Sequence, residues 1–268
     1  MQNNAASPSA SGTGTGRPFP DGAAIVLGGS GGIGSSVCEL FGRQGVDVAV
    51  SYRSNAAAAE SVAARLAAQG RRAAAVRVDA ADPQSVARGF REAHERLGRI
   101  HTVVYAIGAD ISMAYVANVD PEEWRRTIDG DLNGFFHVAQ AALPLLRAGG
   151  GGSLIAVTSA GIDRHPPMDI LSVAPKAGIE ALIRGIAREE GRYNIRANTV
   201  APGVIDAGLF HRLTPQVSPQ FVEAMKRNTA LRRFGSAEEV AAVVVFLAST
   251  PAAYVTGQRL VVDGGYSA

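Results

Sequence analysis

The sequence contains a single cysteine, Cys38, so no disulfide bond can form within the chain. No apolar run approaches the roughly 18 residues that span a bilayer, which argues against a membrane protein. The formal net charge is only +2, too small a field to favour nucleic acid as a partner. The histidines His94, His101 and His137 are scattered, without a second cysteine or a paired carboxylate at ligand spacing, so we expect no metal site.

The first 20 residues also contain few apolar side chains, and consist mainly of Asn, Ala, Ser, Gly, Thr and Pro. Such a composition cannot offset the entropy lost on ordering, so we predict a disordered tail over residues 1–20. The segment has neither the basic start nor the apolar stretch of a secretory signal, and we expect a cytoplasmic protein. Residues 21–268 are enough for one α/β domain with a large core.

The most informative stretch is an apolar run followed by a glycine-rich turn, Ala-Ala-Ile-Val-Leu-Gly-Gly-Ser-Gly-Gly-Ile-Gly at 23–34. The run predicts a buried parallel strand, and the residues after it have a helical pattern. Gly28 allows a sharp turn, Gly32 leaves room for a pyrophosphate against the backbone, and Gly34 allows close packing of helix on strand. The helix N-terminus would supply N–H groups to a phosphate. This order of strand, turn and helix predicts a dinucleotide site.

Predicted strands and helices alternate along the rest of the chain. We expect strands at 46–52, 72–78, 100–106, 153–158, 195–200 and 259–262, and helices at 55–69, 132–147, 176–190 and 237–248, with a further helix opened by Asp82 as cap and Pro83. This pattern predicts a single-domain α/β Rossmann fold, a doubly wound parallel sheet of about seven strands. Ligands bind at the carboxyl edge of such a sheet, so the residues that follow strands are the candidates for the site.

The end of the second strand indicates which dinucleotide would bind. NAD sites usually have an acidic residue here that accepts hydrogen bonds from the ribose hydroxyls, whereas this chain has Tyr52, Arg53 and Ser54. A guanidinium and a hydroxyl suit a 2′-phosphate, so we predict NADP(H), with Arg53 as the main determinant. The alternative is that Arg53 is a solvated loop charge.

Taken together, these motifs resemble the short-chain dehydrogenase/reductase family, especially its 3-oxoacyl-carrier-protein reductase branch, over about 21–268. The closing Val-Asp-Gly-Gly at 262–265 is part of the likeness. The resemblance implies a homotetramer or homodimer that contacts through the helices near 132–147 and 176–190, and a small-molecule substrate. The implied cofactor-binding residues are Gly28, Ser30, Gly31, Gly32, Ile33, Gly34, Arg53, Ser54, Asp79, Ala80, Gly108, Lys176, Pro202, Gly203 and Ile205.

The family's usual catalytic set of Asn, Ser, Tyr and Lys is only half present. Ser159 matches the serine that holds the substrate oxygen, and Lys176 matches the lysine that binds the nicotinamide ribose. Ser172 occupies the position of the tyrosine, and Asp131 that of the asparagine. An aliphatic hydroxyl is a much poorer acid than a phenol, so Ser172 cannot simply donate the proton. Tyr105 occupies a position where the family has asparagine. Its side chain could pack on the nicotinamide or fill the end of the strand, and the sequence does not decide between the two.

In enoyl reductases the tyrosine lies seven residues before the lysine, where this chain has Asp169. The threonine expected after Pro202 and Gly203 is replaced by Ala207. Pro175 raises the question of where the helix that carries Lys176 begins. Asp169 and Asp163 are expected to be solvated or capping groups, and His165 a loop histidine.

Three functions follow as hypotheses. The first is an NADP(H)-dependent reductase of a C=O or C=N group, with the proton delivered by water through Lys176 and Ser172, or by Asp131, Asp169 or His165. The second is a catalytically silent NADP(H)-binding protein with a regulatory or scaffold role. The third is a cyclase, dehydratase or hydrolase. In each case residues 205–228, with Phe210, Leu213, Phe221 and Met225, are expected to form an apolar lid over the substrate.

Overall fold

The strands form because short runs rich in Val, Ile and Ala can be buried on both faces of a parallel sheet. The computed structural model describes residues 18–268, so the predicted tail lies outside the described residues up to position 17. The strands are β1 (Ala23–Leu27), β2 (Asp47–Tyr52), β3 (Ala73–Arg77), β4 (Ile100–Tyr105), β5 (Gly152–Val157), β6 (Ile195–Pro202) and β7 (Arg259–Val262). They form one seven-stranded parallel sheet in the order β3-β2-β1-β4-β5-β6-β7.

Helices connect the strands and cover both faces of the sheet. They are α1 (Gly32–Arg43), α2 (Ala56–Ala68), α3 (Pro83–Leu97), α4 (Pro121–Thr127), α5 (Gly134–Ala148), α6 (Ile170–Glu190), α7 (Leu209–Leu213), α8 (Pro219–Arg227) and α9 (Ala237–Ala248). A stretch of π-helix, Ile128–Asn133, joins α4 to α5. The predicted Rossmann-like α/β fold is therefore confirmed.

Alternating side chains of each strand enter two cores, as the pleat requires. Ile25 and Leu27 belong to the core beneath α3, α5 and α6, whereas Ala24 and Val26 belong to the core beneath α1, α2 and α9. The order of strands reverses between β1 and β4, which lie side by side in the centre of the sheet. The carboxyl ends of these two strands are therefore the expected place for a ligand.

Several local predictions are confirmed and two boundaries move. Asp82 caps α3 by accepting a hydrogen bond from the Gln84 N–H, with Pro83 in the first turn. Cys38 is buried, and desolvation raises the pKa of its thiol. Phe19, which the sequence placed in the tail, is buried edge-to-face against Phe41, with 5.7 Å between ring centroids. A side chain able to bury that much apolar surface orders the chain before position 21.

The second boundary is the start of α6, predicted at 176 and found at Ile170. Pro175 is the sixth residue of this helix, beyond the first turn, where it removes the hydrogen bond to the Leu171 carbonyl. Ser172 and Lys176 are thus one helical turn apart on the same helix, and the spacing used to align them is valid.

Candidate active site

The glycine-rich turn between β1 and α1 has the sharp turn at Gly28 and the close helix packing at Gly34 that the sequence predicts. Gly28 has a φ of +78°, a left-handed conformation that favours glycine. A Cβ added at Gly34 would lie 2.1 Å from the carbonyl oxygen of Gly28, so only glycine allows this approach. No side chain caps the N-terminus of α1 at Gly31, which leaves its first N–H groups for another partner. The turn with Ser30 and Ile33 has the shape and polarity to bind a pyrophosphate.

Residues 205–228 lie across this turn. The amide nitrogen of Gly208 would be 2.7 Å from a Cβ on Gly32, so the two backbones are in direct contact. This lid, which comprises α7, α8 and a short 3-10 turn, is attached to the loop after β4. The Gln216 side chain accepts a hydrogen bond from the Met113 N–H (3.1 Å), and Arg212 pairs with Asp110 at 3.3 Å.

Two guanidinium groups lie where the adenosine end of a dinucleotide would be expected. Arg53 follows β2 and is exposed, and Arg77, which ends β3, is exposed beside it. Tyr52 and Arg77 are register partners, and Arg77 Nε donates to the Arg53 carbonyl at 3.3 Å. The sequence reading missed Arg77, although its position at the end of a predicted strand next to β2 could have revealed it. Ser54 is also exposed at this edge.

The remaining predicted cofactor residues also lie at the carboxyl edge. Asp79 follows β3, and its carboxylate accepts from the Ala81 N–H (3.1 Å). The other positions are Ala80 after β3, Gly108 after β4, Pro202 at the end of β6, and Gly203 and Ile205 beyond it. The fold therefore brings all of these segments to one edge, as the doubly wound topology requires.

Lys176 is held at the centre of this edge by a buried ion pair. Its Nζ donates to Asp131 Oδ1 at 2.9 Å and to the Ile107 carbonyl at 2.7 Å. Asp131 is 2% exposed and Lys176 6% exposed. The π-helical turn that holds Asp131 widens the backbone at this point, and such turns often occur at functional sites. The structure thus pairs Lys176 with Asp131, to which the sequence analysis gives separate roles.

Tyr105 fills the space beneath this pair. The ring is fully buried, and its hydroxyl donates to the Asp131 carbonyl at 2.9 Å. Lys176 Nζ lies 5.6 Å from the ring centroid, within the range of a cation–π contact. Burial, followed by the nearby Asp131 charge, raises the pKa of Tyr105 well above its ordinary value. The sequence left open whether Tyr105 packs on the nicotinamide or fills the end of its strand. In the structure its buried ring fills the end of β4.

Ser159 follows β5, and its position is fixed from two sides. Its hydroxyl oxygen accepts the Gly161 N–H at 3.0 Å and so opens a short 3-10 turn. Arg259, the first residue of β7, donates to the Ser159 carbonyl at 2.9 Å and to Glu180 at 2.7 Å. Among the described residues the Ser159 hydroxyl accepts but does not donate, so its proton can bind an acceptor such as a carbonyl oxygen.

Asp169 differs from its expected role as a solvated or capping group. It occupies the cap position of α6, yet its side chain accepts no capping hydrogen bond, and the residue is half-buried. Desolvation raises the pKa of this carboxyl from 3.8 to about 7. By contrast, His165 is exposed in the loop, as expected.

This raised pKa predicts that Asp169 destabilises the folded state more strongly as pH rises. Because the folded state holds the proton more tightly than the unfolded state, the stability from Asp169 is lost as pH rises toward about 7. We compare the free energy of unfolding of D169N with that of wild type. With partial solvent screening, the difference should shift in favour of D169N by about 2 kcal/mol from about pH 5 to about pH 8.5. Urea unfolding of both proteins at the two pH values measures this difference. A constant difference would mean that Asp169 titrates normally.

Comparison with known proteins identifies the family of the chain. The family model described as enoyl-(acyl carrier protein) reductase matches residues 28–267. The chain is 35% identical over 243 residues to an L-rhamnose 1-dehydrogenase (NAD(P)(+)) of Sphingomonas sp., covering 90% of this chain and 94% of that protein. The chain belongs to the short-chain dehydrogenase/reductase family.

Two further likenesses support the same conclusion. A 3-oxoacyl-(acyl-carrier-protein) reductase of Staphylococcus aureus is 32% identical over 90% of this chain and 96% of its own. A short-chain type dehydrogenase/reductase from Mycobacterium ulcerans superposes with a TM-score of 0.86 at 29% identity, covering 93% of this chain and 91% of that one. The protein is thus an oxidoreductase of the short-chain dehydrogenase/reductase type, whose relatives use nicotinamide cofactors and small-molecule substrates.

This short-chain dehydrogenase/reductase carries no helix long and apolar enough to cross a membrane among residues 18–268. In the same part of the chain, no group of three or more His, Cys, Asp or Glu side chains is placed to hold a metal ion. The polar groups at or next to the carboxyl edge include the Ser159 hydroxyl, the Lys176–Asp131 pair, the Ser172 hydroxyl and the Asp169 carboxyl.

Proposed function

We propose that the protein is an NADP(H)-dependent reductase of a C=O or C=N group in a small or acyl substrate, with a proton donor other than tyrosine. The observation that carries this proposal is the buried Lys176–Asp131 pair, which fixes an ammonium group at the carboxyl edge, where the adjoining phenol of Tyr105 already donates to the Asp131 carbonyl. Two of the three ammonium donors are used, by Asp131 and the Ile107 carbonyl. The third is left for a ribose hydroxyl.

The residues present fit a dinucleotide that carries a 2′-phosphate. The close approach of Gly28 and Gly34 shapes the turn before α1, which the Gly208 backbone contacts at Gly32, and Arg53 and Arg77 provide two cations at the ribose end. When bound, NADPH supplies a hydride to an electrophilic carbon. Ser159 would hold the substrate oxygen by a hydrogen bond that strengthens as negative charge develops there.

Cofactor preference is tested at Arg53. Loss of a charge-assisted contact with the 2′-phosphate should weaken NADPH binding to R53A by about 10- to 100-fold, while NADH binding stays the same. Fluorescence titration with each dinucleotide gives the two dissociation constants. R91A removes another exposed arginine away from this edge and serves as the matched control. Equal NADPH affinity in R53A and wild type would return Arg53 to the role of a solvated loop charge.

The reaction itself is tested with a panel of ketones, enoyl thioesters and cyclic imines. We expect NADPH consumption with at least one acceptor, and its loss in K176M. Tight NADPH binding without turnover on any acceptor would contradict the proposal and favour the silent nucleotide-binding protein instead.

The proposed assembly is a homodimer or homotetramer in the cytoplasm. Phe136, on α5, is 46% exposed, and Trp124, on α4, is 39% exposed. Large apolar side chains left in solvent on neighbouring helices support a contact between copies through this face. Sedimentation analysis of wild type and F136E tests it, since a charge at the contact should favour the monomer.

A further inference from the structure

Asp169 shares a helical face with the groups already placed in the site. It precedes Ser172 by three residues and Lys176 by seven, which is one and two turns of α6. Side chains at this spacing project from the same side of a helix. Asp169 is the N-cap of α6, so it stands at the N-terminal end of the row that contains Ser172 and Lys176.

The backbone fixes Asp169 against the same loop that holds Lys176. Asp169 pairs with Ala114 in an isolated parallel bridge, and the Ala114 N–H donates to the Met168 carbonyl at 3.3 Å. This loop begins at the end of β4, where the Ile107 carbonyl accepts from Lys176. Met168 has a φ of +68°, a left-handed conformation uncommon for a residue with a long side chain. Such strain is found where the surrounding structure needs a particular backbone path.

The carboxyl of Asp169 makes no hydrogen bond or ion pair with any of the described residues, although the residue is half-buried. Its oxygens are not among the fully buried atoms that lack a partner, so solvent still reaches the carboxyl and can exchange protons with it. The titratable group that interacts with it electrostatically is Tyr266, near the C-terminus, and the Arg164 guanidinium lies 4.9 Å from the Tyr266 ring centroid. Arg164 Nη1 is occupied by the Tyr266 carbonyl at 2.8 Å.

Two phenols compete with Asp169 as sources of a proton. Tyr105 is fully buried, and its hydroxyl already donates to the Asp131 carbonyl. Burial raises the pKa of Tyr266, the Arg164 charge lowers it and the Asp169 charge raises it, so the pKa is raised overall. A phenol made less acidic is a poor donor at neutral pH.

We propose that Asp169 is the proton donor that replaces the missing phenol when the protein reduces a neutral carbonyl. This inference depends on the proposed reductase function. Hydride addition to the carbonyl carbon breaks the C=O π bond and leaves the electron pair on oxygen. The O–H bond of the protonated Asp169 carboxyl then breaks, and its proton forms the new alcohol. The carboxylate left behind regains a proton from water.

The assignment also specifies the substrate class. A neutral ketone or aldehyde needs the protonated carboxyl, whose pKa of about 7 is suited to a donor at neutral pH. An iminium cation needs no proton and would be attracted by the carboxylate instead. The direction of the pH dependence therefore separates the two classes: kcat for carbonyl reduction should fall as pH rises through about 7, and kcat for iminium reduction should rise.

The experiment compares kcat from about pH 5 to pH 9 for wild type, D169N and D169E with the best acceptor of the panel. D169N should lose about 100-fold or more of its activity and the inflection near pH 7, because its amide cannot donate an acidic proton. D169E retains a carboxylic acid and should keep an inflection with part of the activity. D129N, which alters an exposed carboxylate on the nearby π-helical turn, should behave as wild type.

NADPH titration of the same variants separates the two proposals. Unchanged NADPH affinity in D169N together with lost turnover supports the donor role, because a merely structural defect would weaken both. A D169N protein that keeps the wild-type rate and pH profile overturns the role of Asp169 and leaves the reductase function intact. An activity that rises through about pH 7 also overturns it and indicates an iminium substrate. A wild-type protein without turnover on any acceptor overturns both.

Discussion

Replacing Asp131 by alanine is expected to lower the free energy of unfolding by about 3–5 kcal/mol, because the Lys176 ammonium would remain buried without its counter-ion. Both side chains are nearly inaccessible to solvent, and water cannot take over the lost contact without opening the helix pair around it. The Tyr105 ring and the Ile107 carbonyl would still contact the ammonium, but neither carries a compensating charge.

The measurement is urea unfolding followed by circular dichroism, with Asp129→Ala as the control. Asp129 lies two residues away on the same π-helical turn and is exposed, so its loss should change stability by no more than about 0.5 kcal/mol. The double variant D131L/K176M replaces the ion pair by apolar side chains and should recover most of the loss. If D131A were as stable as D129A, the ion pair would be solvated in solution.

Replacing Gly34 by alanine is the second large effect. A methyl group there would lie 2.1 Å from the Gly28 carbonyl oxygen and 2.8 Å from its carbon, and neither backbone atom can yield without displacing β1 or α1. We expect a loss of about 3 kcal/mol or more in stability, together with a loss of dinucleotide binding. Thermal unfolding and fluorescence titration with NADPH measure the two effects.

Gly185→Ala provides a matched control, since Gly185 lies inside α6 with no neighbouring atom within 4 Å of an added Cβ. Alanine at this helical position should stabilise the protein by about 0.5–1 kcal/mol. The same Gly→Ala substitution is thus expected to lower the stability at Gly34 and to raise it at Gly185. A G34A protein that retains wild-type stability would show that the turn can move away from the helix.

The sheet could be predicted from the sequence because each strand is a short apolar run bounded by turn or helix signals. Helix α9 and strand β7 were located to the residue, since both have clear ends. The start of α6 was predicted six residues late. Pro175 normally marks a helix boundary, and the sequence could not reveal that tertiary packing would extend the helix on its N-terminal side.

The site was predicted less completely, because its decisive contacts join residues far apart in the chain. Asp131 and Lys176 are separated by 45 positions, and their pairing depends on a π-helical turn that no local propensity indicates. The raised pKa of Asp169 depends on its burial in the folded chain, so in the sequence the residue resembles any capping aspartate. The proposed roles of Ser159 and Ser172 remain predictions.

The positions of Arg53 and Arg77 have a consequence for cofactor choice inside a cell. Both guanidinium groups lie in solvent, whereas Lys176 is enclosed with its own counter-ion. Dissolved ions screen exposed charges over about 10 Å at 0.1 M salt and about 3 Å at 1 M, but affect enclosed pairs far less. The proposed preference for a phosphorylated over an unphosphorylated dinucleotide should therefore decline with ionic strength, while the proposed contact of Lys176 with the nicotinamide ribose stays constant.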